Sequence, residues 1–278
     1  MNNSTVWRLI QDTPAPGVWN MAADEAILQA AGSNQSPTTL RLYAWAPACL
    51  SLGYAQGIEE IDTEAIQSLG WELVRRPTGG QAILHVDELT YAVMGPTTEP
   101  RLAGDVLESY QRLSTALLVA LEILGVPAQA LPKLELLTIG APNNPICFEV
   151  PSNYEITVHG KKIIGSAQAR KHNGVLQHGS LPLIGDLSRI AQALYFPNEA
   201  ERELTAKRLL MRATTVEQVL GRKVTWDEAA QAFVQAFQQT LNIQLLLAEL
   251  SADERECAEG LVKEKYSNLG WTLTREVK

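Results

Sequence analysis

The sequence predicts an α+β fold, a central and mainly antiparallel mixed β-sheet flanked by helices, with a small helical part at the C-terminal end. Three observations predict it. Strand-like runs dominate roughly the first 180 residues and helical patterning the remainder. Short connections between successive strand candidates favour antiparallel neighbours over repeating βαβ units. No internal repeat, low-complexity tract or long linker interrupts the chain of 278 residues, which is long enough for one large domain or two small ones.

In chain order, strands are expected at 6–10, 40–45, 73–76, 82–85, 90–94, 154–158, 162–168 and 175–178, where β-branched, aromatic and aliphatic residues cluster between turn formers. A helix is expected over 21–31, with Asn20 as its cap. A longer one over 105–124 places Val106, Tyr110, Leu113, Leu117, Leu121 and Leu124 on one face and ends at Gly125-Val126-Pro127. Three capping boxes open helices in the last third: Thr214 with Glu217, Thr225 with Glu228, and Ser251 with Glu254. The simplest partition is one α+β domain over 1–198, followed by a helical segment over 199–278 that packs on or continues it.

Composition narrows the function classes. Hydrophobic content of 46% with 19% charged residues is that of a globular chain. No run approaches the ~18 apolar residues of a membrane span, and the first residues lack a signal-peptide pattern, so a cytoplasmic location and no membrane partner are expected. Net charge of −8 argues against nucleic acid as a partner. Cys49, Cys147 and Cys257 are too scattered for a disulfide framework or a metal site. Two basic islands, Arg75-Arg76 and Lys161, Lys162, Arg170 and Lys171, read on their own as solvated surface.

Three stretches can carry chemistry. In VHGKKIIGSAQAR (158–170), His159-Gly160 is a two-residue hairpin loop that pairs Val158 with Lys161 and Thr157 with Lys162, which turns the two lysines to opposite faces. Gly165-Ser166-Ala167 then gives a strand of small residues where another group can approach the backbone. In RRPTGGQAILH (75–85), Pro77-Thr78-Gly79-Gly80 is a hairpin turn or a ligand-lining loop; it lacks the Lys-Ser/Thr ending of a phosphate-binding loop. In PICFEVPSNYEI (145–156), Cys147 is either a small buried hydrophobe or a nucleophile whose thiolate the neighbouring lysines would favour. His85 and His178 each sit near a strand end, and as isolated residues they are core or edge histidines.

Taken together and in this order, RRPTGGQAILH, PICFEVPSNYEI and HGKKIIGSAQARKHNGVLQHGSLPL resemble the lipoate/biotin protein ligase superfamily, and most nearly its cysteine-dependent octanoyltransferase branch. The resemblance implies the sheet-and-helix fold of that catalytic domain and an acyltransferase activity. An octanoyl group would pass from the thioester of acyl carrier protein to Cys147, and then to a lysine of a lipoyl-domain protein. The acceptor would be the H protein of glycine cleavage or a 2-oxoacid dehydrogenase E2. By the same resemblance Cys147 and Lys162 are catalytic. Arg75, Arg76, Gly79, Gly80 and His85 form one wall of the acyl pocket, and Gly165, Ser166, Ala167, Gln168, His178 and Gly179 the other. No cofactor is implied. ATP and magnesium would enter only if the chain were an ATP-dependent lipoate ligase. An amidotransferase acting between lipoyl domains and a non-catalytic acyl or carrier-protein binder are the remaining alternatives.

Overall fold

A computed structural model describes residues 5–132 and 154–276. The elements are β1 (Thr5–Gln11), α1 (Gly17–Gly32), β2 (Thr39–Tyr43), β3 (Cys49–Leu52), α2 (Thr63–Ser68), β4 (Glu72–Arg75), β5 (Ile83–His85), β6 (Glu88–Pro96), α3 (Val106–Ile123), β7 (Gln129–Pro132), β8 (Tyr154–Val158), β9 (Lys161–Lys171), β10 (Gly174–Pro182), α4 (Glu199–Arg212), α5 (Val216–Leu220), α6 (Trp226–Leu241), β11 (Ile243–Leu247), α7 (Ala252–Leu261) and α8 (Leu269–Thr274). A 3-10 turn over Leu187–Ala193 precedes α4, and a π-helical turn over Val262–Tyr266 joins α7 to α8.

The main sheet has eight strands in the order β11-β1-β2-β6-β10-β9-β8-β7. Its β11-β1 and β1-β2 pairs are parallel and the rest antiparallel, so it is the mixed, mainly antiparallel sheet that the short connections predict. Its central strands are covered on both faces, and every residue of β10 is buried. In β6 this burial matches an unbroken run, Tyr91-Ala92-Val93-Met94, in place of an alternating pattern. On one face, α3 and α6 pack together over Leu89, Tyr91, Val93 and Leu181. On the other, α1 lies over Ala92, Met94 and Leu176 and is itself covered by α7. Buried on nearly every side, α1 is apolar nearly all round.

A smaller sheet in the order β4-β3-β5 carries the RRPTGG loop. Because β3 lies between β4 and β5, that loop is a crossover past the end of β3 and not the hairpin turn that two adjacent short strands had suggested.

Other local expectations shift for identifiable reasons. Helix α1 begins at Gly17, after Pro16, instead of at Met21. Asn20 is internal to it: its amide donates to the carbonyls of Ala15 and Ala44 and its side-chain oxygen accepts from Arg41. Thr215, not Thr214, caps α5, accepting from the Gln218 N–H. The Thr225 and Ser251 boxes form as written, and an unanticipated third opens α3 with Asp105 and Glu108. The last third also supplies β11, which joins the main sheet beside β1.

Candidate active site

The β8–β9 hairpin fixes Lys162. His159 and Gly160 both adopt left-handed conformations, at φ 50° and 77°, as a tight two-residue hairpin turn demands. Val158 pairs with Lys161 and Thr157 with Lys162. Lys161 turns outward and its Nζ donates to the Leu210 carbonyl at 2.7 Å. Lys162 turns inward to 5% exposure, with its Nζ 3.1 Å from Oε1 of the equally buried Glu155. A buried ammonium requires such a partner to stay charged.

Three residues further along β9, about 10 Å at strand rise, Gly165, Ser166 and Ala167 form one wall of a small cavity. Arg76, just after β4, and Ile83 and His85 of β5 also line it, with Met21, Tyr43, Trp45, Thr90, His178, Gly179 and Ser180 completing the walls. Gly179 cannot be larger, because a Cβ there would lie 2.5 Å from Ser166 Oγ and 2.7 Å from the Gly165 carbonyl.

Two hydrogen-bond chains hold the walls. In the first, Asp24 accepts from Arg41 Nη1 at 2.8 Å, Tyr43 Oη at 2.9 Å and His178 Nδ1 at 3.2 Å. Burial alone would raise the Asp24 pKa, but the His178 hydrogen bond and the Arg41 charge hold it below its ordinary value. An ionised carboxylate only accepts, so Nδ1 of His178 bears the proton and Nε2 accepts from Thr78 Oγ1 at 2.7 Å. Burial lowers the His178 pKa despite Asp24, which keeps the ring neutral near pH 7. The glycine loop is thus tied through Thr78 to β10. In the second chain, Arg76 donates to Ser51 Oγ, Ser51 to His85 Nε2, and His85 Nδ1 to Glu88 at 3.1, 2.7 and 2.8 Å. Glu88 also accepts from Thr90 and Ser180, and Trp45 stacks on His85 with ring centroids 4.0 Å apart.

The sequence profile of the lipoyl protein ligase A/B catalytic domain matches residues 16–238. The chain belongs to that family. Among relatives of the same length, octanoyltransferase LipM of Carboxydothermus hydrogenoformans is 39% identical over 266 residues, covering 95% of this chain and 97% of that protein. Octanoyltransferase LipM of Bacillus subtilis is 37% identical over 273 residues, covering 97% and 98%. Among solved structures, a bi-partite lipoate protein ligase from Thermoplasma acidophilum superposes with a TM-score of 0.81 at 25% identity, covering 99% of this chain and 98% of that one. Lipoate-protein ligase A bound with ATP superposes at 0.78 and 26% identity, covering 98% and 100%.

Within this lipoyl ligase-family fold, the residues singled out in the sequence divide into four groups, one of them Lys162 alone, buried beside Glu155 and outside the cavity lining. Arg76, His85, Gly165, Ser166, Ala167, His178 and Gly179 line the cavity. Arg75, Gly79, Gly80 and Gln168 lie outside its wall. Arg75 is buried and donates to the carbonyls of Gly53, Tyr54, Gln56 and Thr272, bracing α8 against the loop after β3. Gly79 and Gly80 are exposed on the loop, and Gln168 bonds Ser109 and Gln177. Cys147 lies outside the described residues. The expectation that Arg75-Arg76 is solvated surface fails because the two are 1% and 3% exposed.

Sequence reasoning missed Asp24, Tyr43, Trp45, Ser51, Thr78, Glu88 and Glu155. Their one legible signal was a carboxylate inside an apolar run, as in Met21-Ala22-Ala23-Asp24-Glu25-Ala26.

Proposed function

We propose that this protein is an octanoyltransferase of lipoate assembly. It would carry an octanoyl group from the thioester of acyl carrier protein, through a thioester on Cys147, to the ε-amine of a lysine on a lipoyl domain, with the H protein of glycine cleavage the expected acceptor. The observation that carries this reading is near-full-length similarity, at 37–39% identity, to relatives named octanoyltransferase.

Chemistry supports the roles. The Cys147 thiolate attacks the donor carbonyl, the carrier's thiolate leaves and takes a proton, and the octanoyl group is now on the enzyme. The acceptor amine then attacks, Cys147 leaves as thiolate, and the amine's proton is released as the amide forms. Thioester exchange is nearly isoenergetic and thioester to amide runs downhill, so neither ATP nor magnesium enters. Burial pushes the Cys49 and Cys257 thiols above their ordinary pKa, with acidic neighbours adding to it, which suits them poorly to nucleophilic work. Six residues lie between Cys147 and Tyr154, the start of β8, a reach of at most about 25 Å over seven Cα steps. Lys162, buried beside Glu155, would stabilise the developing oxyanion, an interaction worth roughly 3 kcal/mol.

A second reading, ATP-dependent lipoate ligation, draws on the superposition with ligases, one of them bound with ATP. Intact-protein mass spectrometry separates the two. With octanoyl-acyl carrier protein and no ATP, the transferase gains one octanoyl group that Cys147→Ala abolishes and an apo lipoyl domain discharges. No adduct, together with ATP-dependent modification of the acceptor by both variants, would establish the ligase instead.

A further inference from the structure

Helix α4 ends against the strand that carries Lys162. The Thr214 N–H donates to the Lys162 carbonyl at 3.0 Å, Ala213 and Lys162 form a bridge, and Lys161 Nζ holds the Leu210 carbonyl. The helix is therefore registered to the site by backbone contacts at its last turn. Leu209 and Ala213 bury its inner stripe among Ile83, Ile190 and Leu194.

Its outer stripe reads Leu204, Lys207, Arg208 and Met211, all exposed. Met211 is 65% and Leu204 40% exposed, and Tyr195, just before the helix, is 57% exposed. Acidic residues fall only in the first half of the helix, Glu199, Glu201 and Glu203 beside a single Arg202 that pairs with Glu199, while Lys207, Arg208 and Arg212 fall in the half nearest Lys162. The helix dipole accounts for that sorting by itself. It does not account for a long apolar side chain facing water at the centre of the basic half. Apolar anchors inside a rim of one charge are the anatomy of a docking face for a partner of opposite charge. The exposed ion pair of Lys207 with Glu203, at 3.3 Å, is weak enough to exchange.

We propose that the outer face of α4, centred on Met211 and rimmed by Lys207, Arg208 and Arg212, docks the acidic carrier protein that delivers the acyl thioester. The proposal rests on the octanoyl-transfer reading above. The donor fits better than the acceptor because Lys162 is buried while the α4 stripe faces outward. An acyl group on a long phosphopantetheine arm can bridge that offset. An acceptor lysine, with a four-carbon stem, must be brought to the site mouth by its own domain.

The test compares wild type with the double variant Lys207→Glu/Arg208→Glu and, separately, Met211→Asp. Acyl-enzyme formation is followed by mass with octanoyl-acyl carrier protein and with octanoyl-pantetheine, and discharge to an apo lipoyl domain is followed in the same runs. At low salt the double variant should lose about tenfold or more in kcat/KM with the carrier-bound donor, mainly through KM. The difference should shrink as salt rises. Octanoyl-pantetheine should react at the wild-type rate, which also certifies the fold. Equal loss with both donors, no loss with either, or loss confined to discharge would each overturn the proposal, the last by giving this face to the acceptor. A wild-type protein that forms no acyl-enzyme from either thioester would instead sink the transferase reading, and this inference with it.

Discussion

Arg75-Arg76 and Lys161-Lys162 are two adjacent basic pairs, and the fold splits each in the same way. One member becomes a brace: Arg75 gathers backbone carbonyls from the loop after β3 and from α8, and Lys161 takes the Leu210 carbonyl. The other turns into the protein: Arg76 lines the cavity, and Lys162 is buried beside Glu155, three residues along β9 from the cavity wall. Strand alternation produces the split, since consecutive residues point to opposite faces. Two like charges in a row are therefore two different kinds of residue, and neither pair is the free surface charge that its composition suggests.

The largest effect expected is at Lys162. Lys162→Ala should slow acyl-enzyme formation about 10²–10³-fold in single-turnover assays. It also takes the ammonium partner from the buried Glu155 carboxylate, at a cost of up to about 3–5 kcal/mol in urea unfolding. Lost stability with transfer intact in the folded fraction would make Lys162 a brace as well and dissolve the contrast.

Arg75→Ala should cost about 3 kcal/mol by leaving several buried carbonyls without donors, while transfer per folded molecule persists. Arg75→Lys should not rescue it, because a single ammonium cannot span carbonyls on two segments. Slowed transfer at unchanged stability would move Arg75 to the site.

How much of this was legible follows from how each residue is specified. The hairpin at His159-Gly160 was readable to the residue because its turn chemistry and register are local. The fold class followed from strand patterning, and the Thr225 and Ser251 caps from a four-residue signature. What escaped is non-local. Ser51 and Glu88 look ordinary along the chain, and they matter only because β3 and β5 bring His85 between them. Asp24 sits in an apolar helix, and its three donors come from β2 and β10. The roll of β11 as a sheet edge was hidden for a similar reason: it pairs with a strand more than two hundred residues away.

A third contrast lies in pH. His178 is held neutral by burial, with the Arg76 charge a smaller contribution in the same direction. Because its folded pKa is depressed, the unfolded chain binds the extra proton first as pH falls. Stability is complete above about pH 6.5 and declines by up to about 1.4 kcal/mol per pH unit below it, until the folded pKa is passed. His178→Gln should remove that slope from urea midpoints and shrink the Asp24 contribution, lost below about pH 4, toward what Arg41 alone sustains. By NMR titration, Arg76→Gln should raise the His178 pKa and Arg75→Gln should leave it in place.

The smallest effect belongs to Lys161. Its ammonium is only partly buried, and the Leu210 carbonyl lies in the last turn of α4, where water can replace a lost donor. Lys161→Ala should therefore cost under about 1 kcal/mol, and acyl-enzyme formation should stay within about twofold of wild type. The comparison sharpens if that holds beside the large loss at Lys162, since the two lysines share a hairpin, a charge and a position in sequence to within one residue. Orientation is then the variable that separates them. A Lys161→Ala loss approaching that of Lys162→Ala, with octanoyl-pantetheine as donor, would mean that the placement of α4 governs the chemistry itself, and the division into brace and site residue would have to be redrawn.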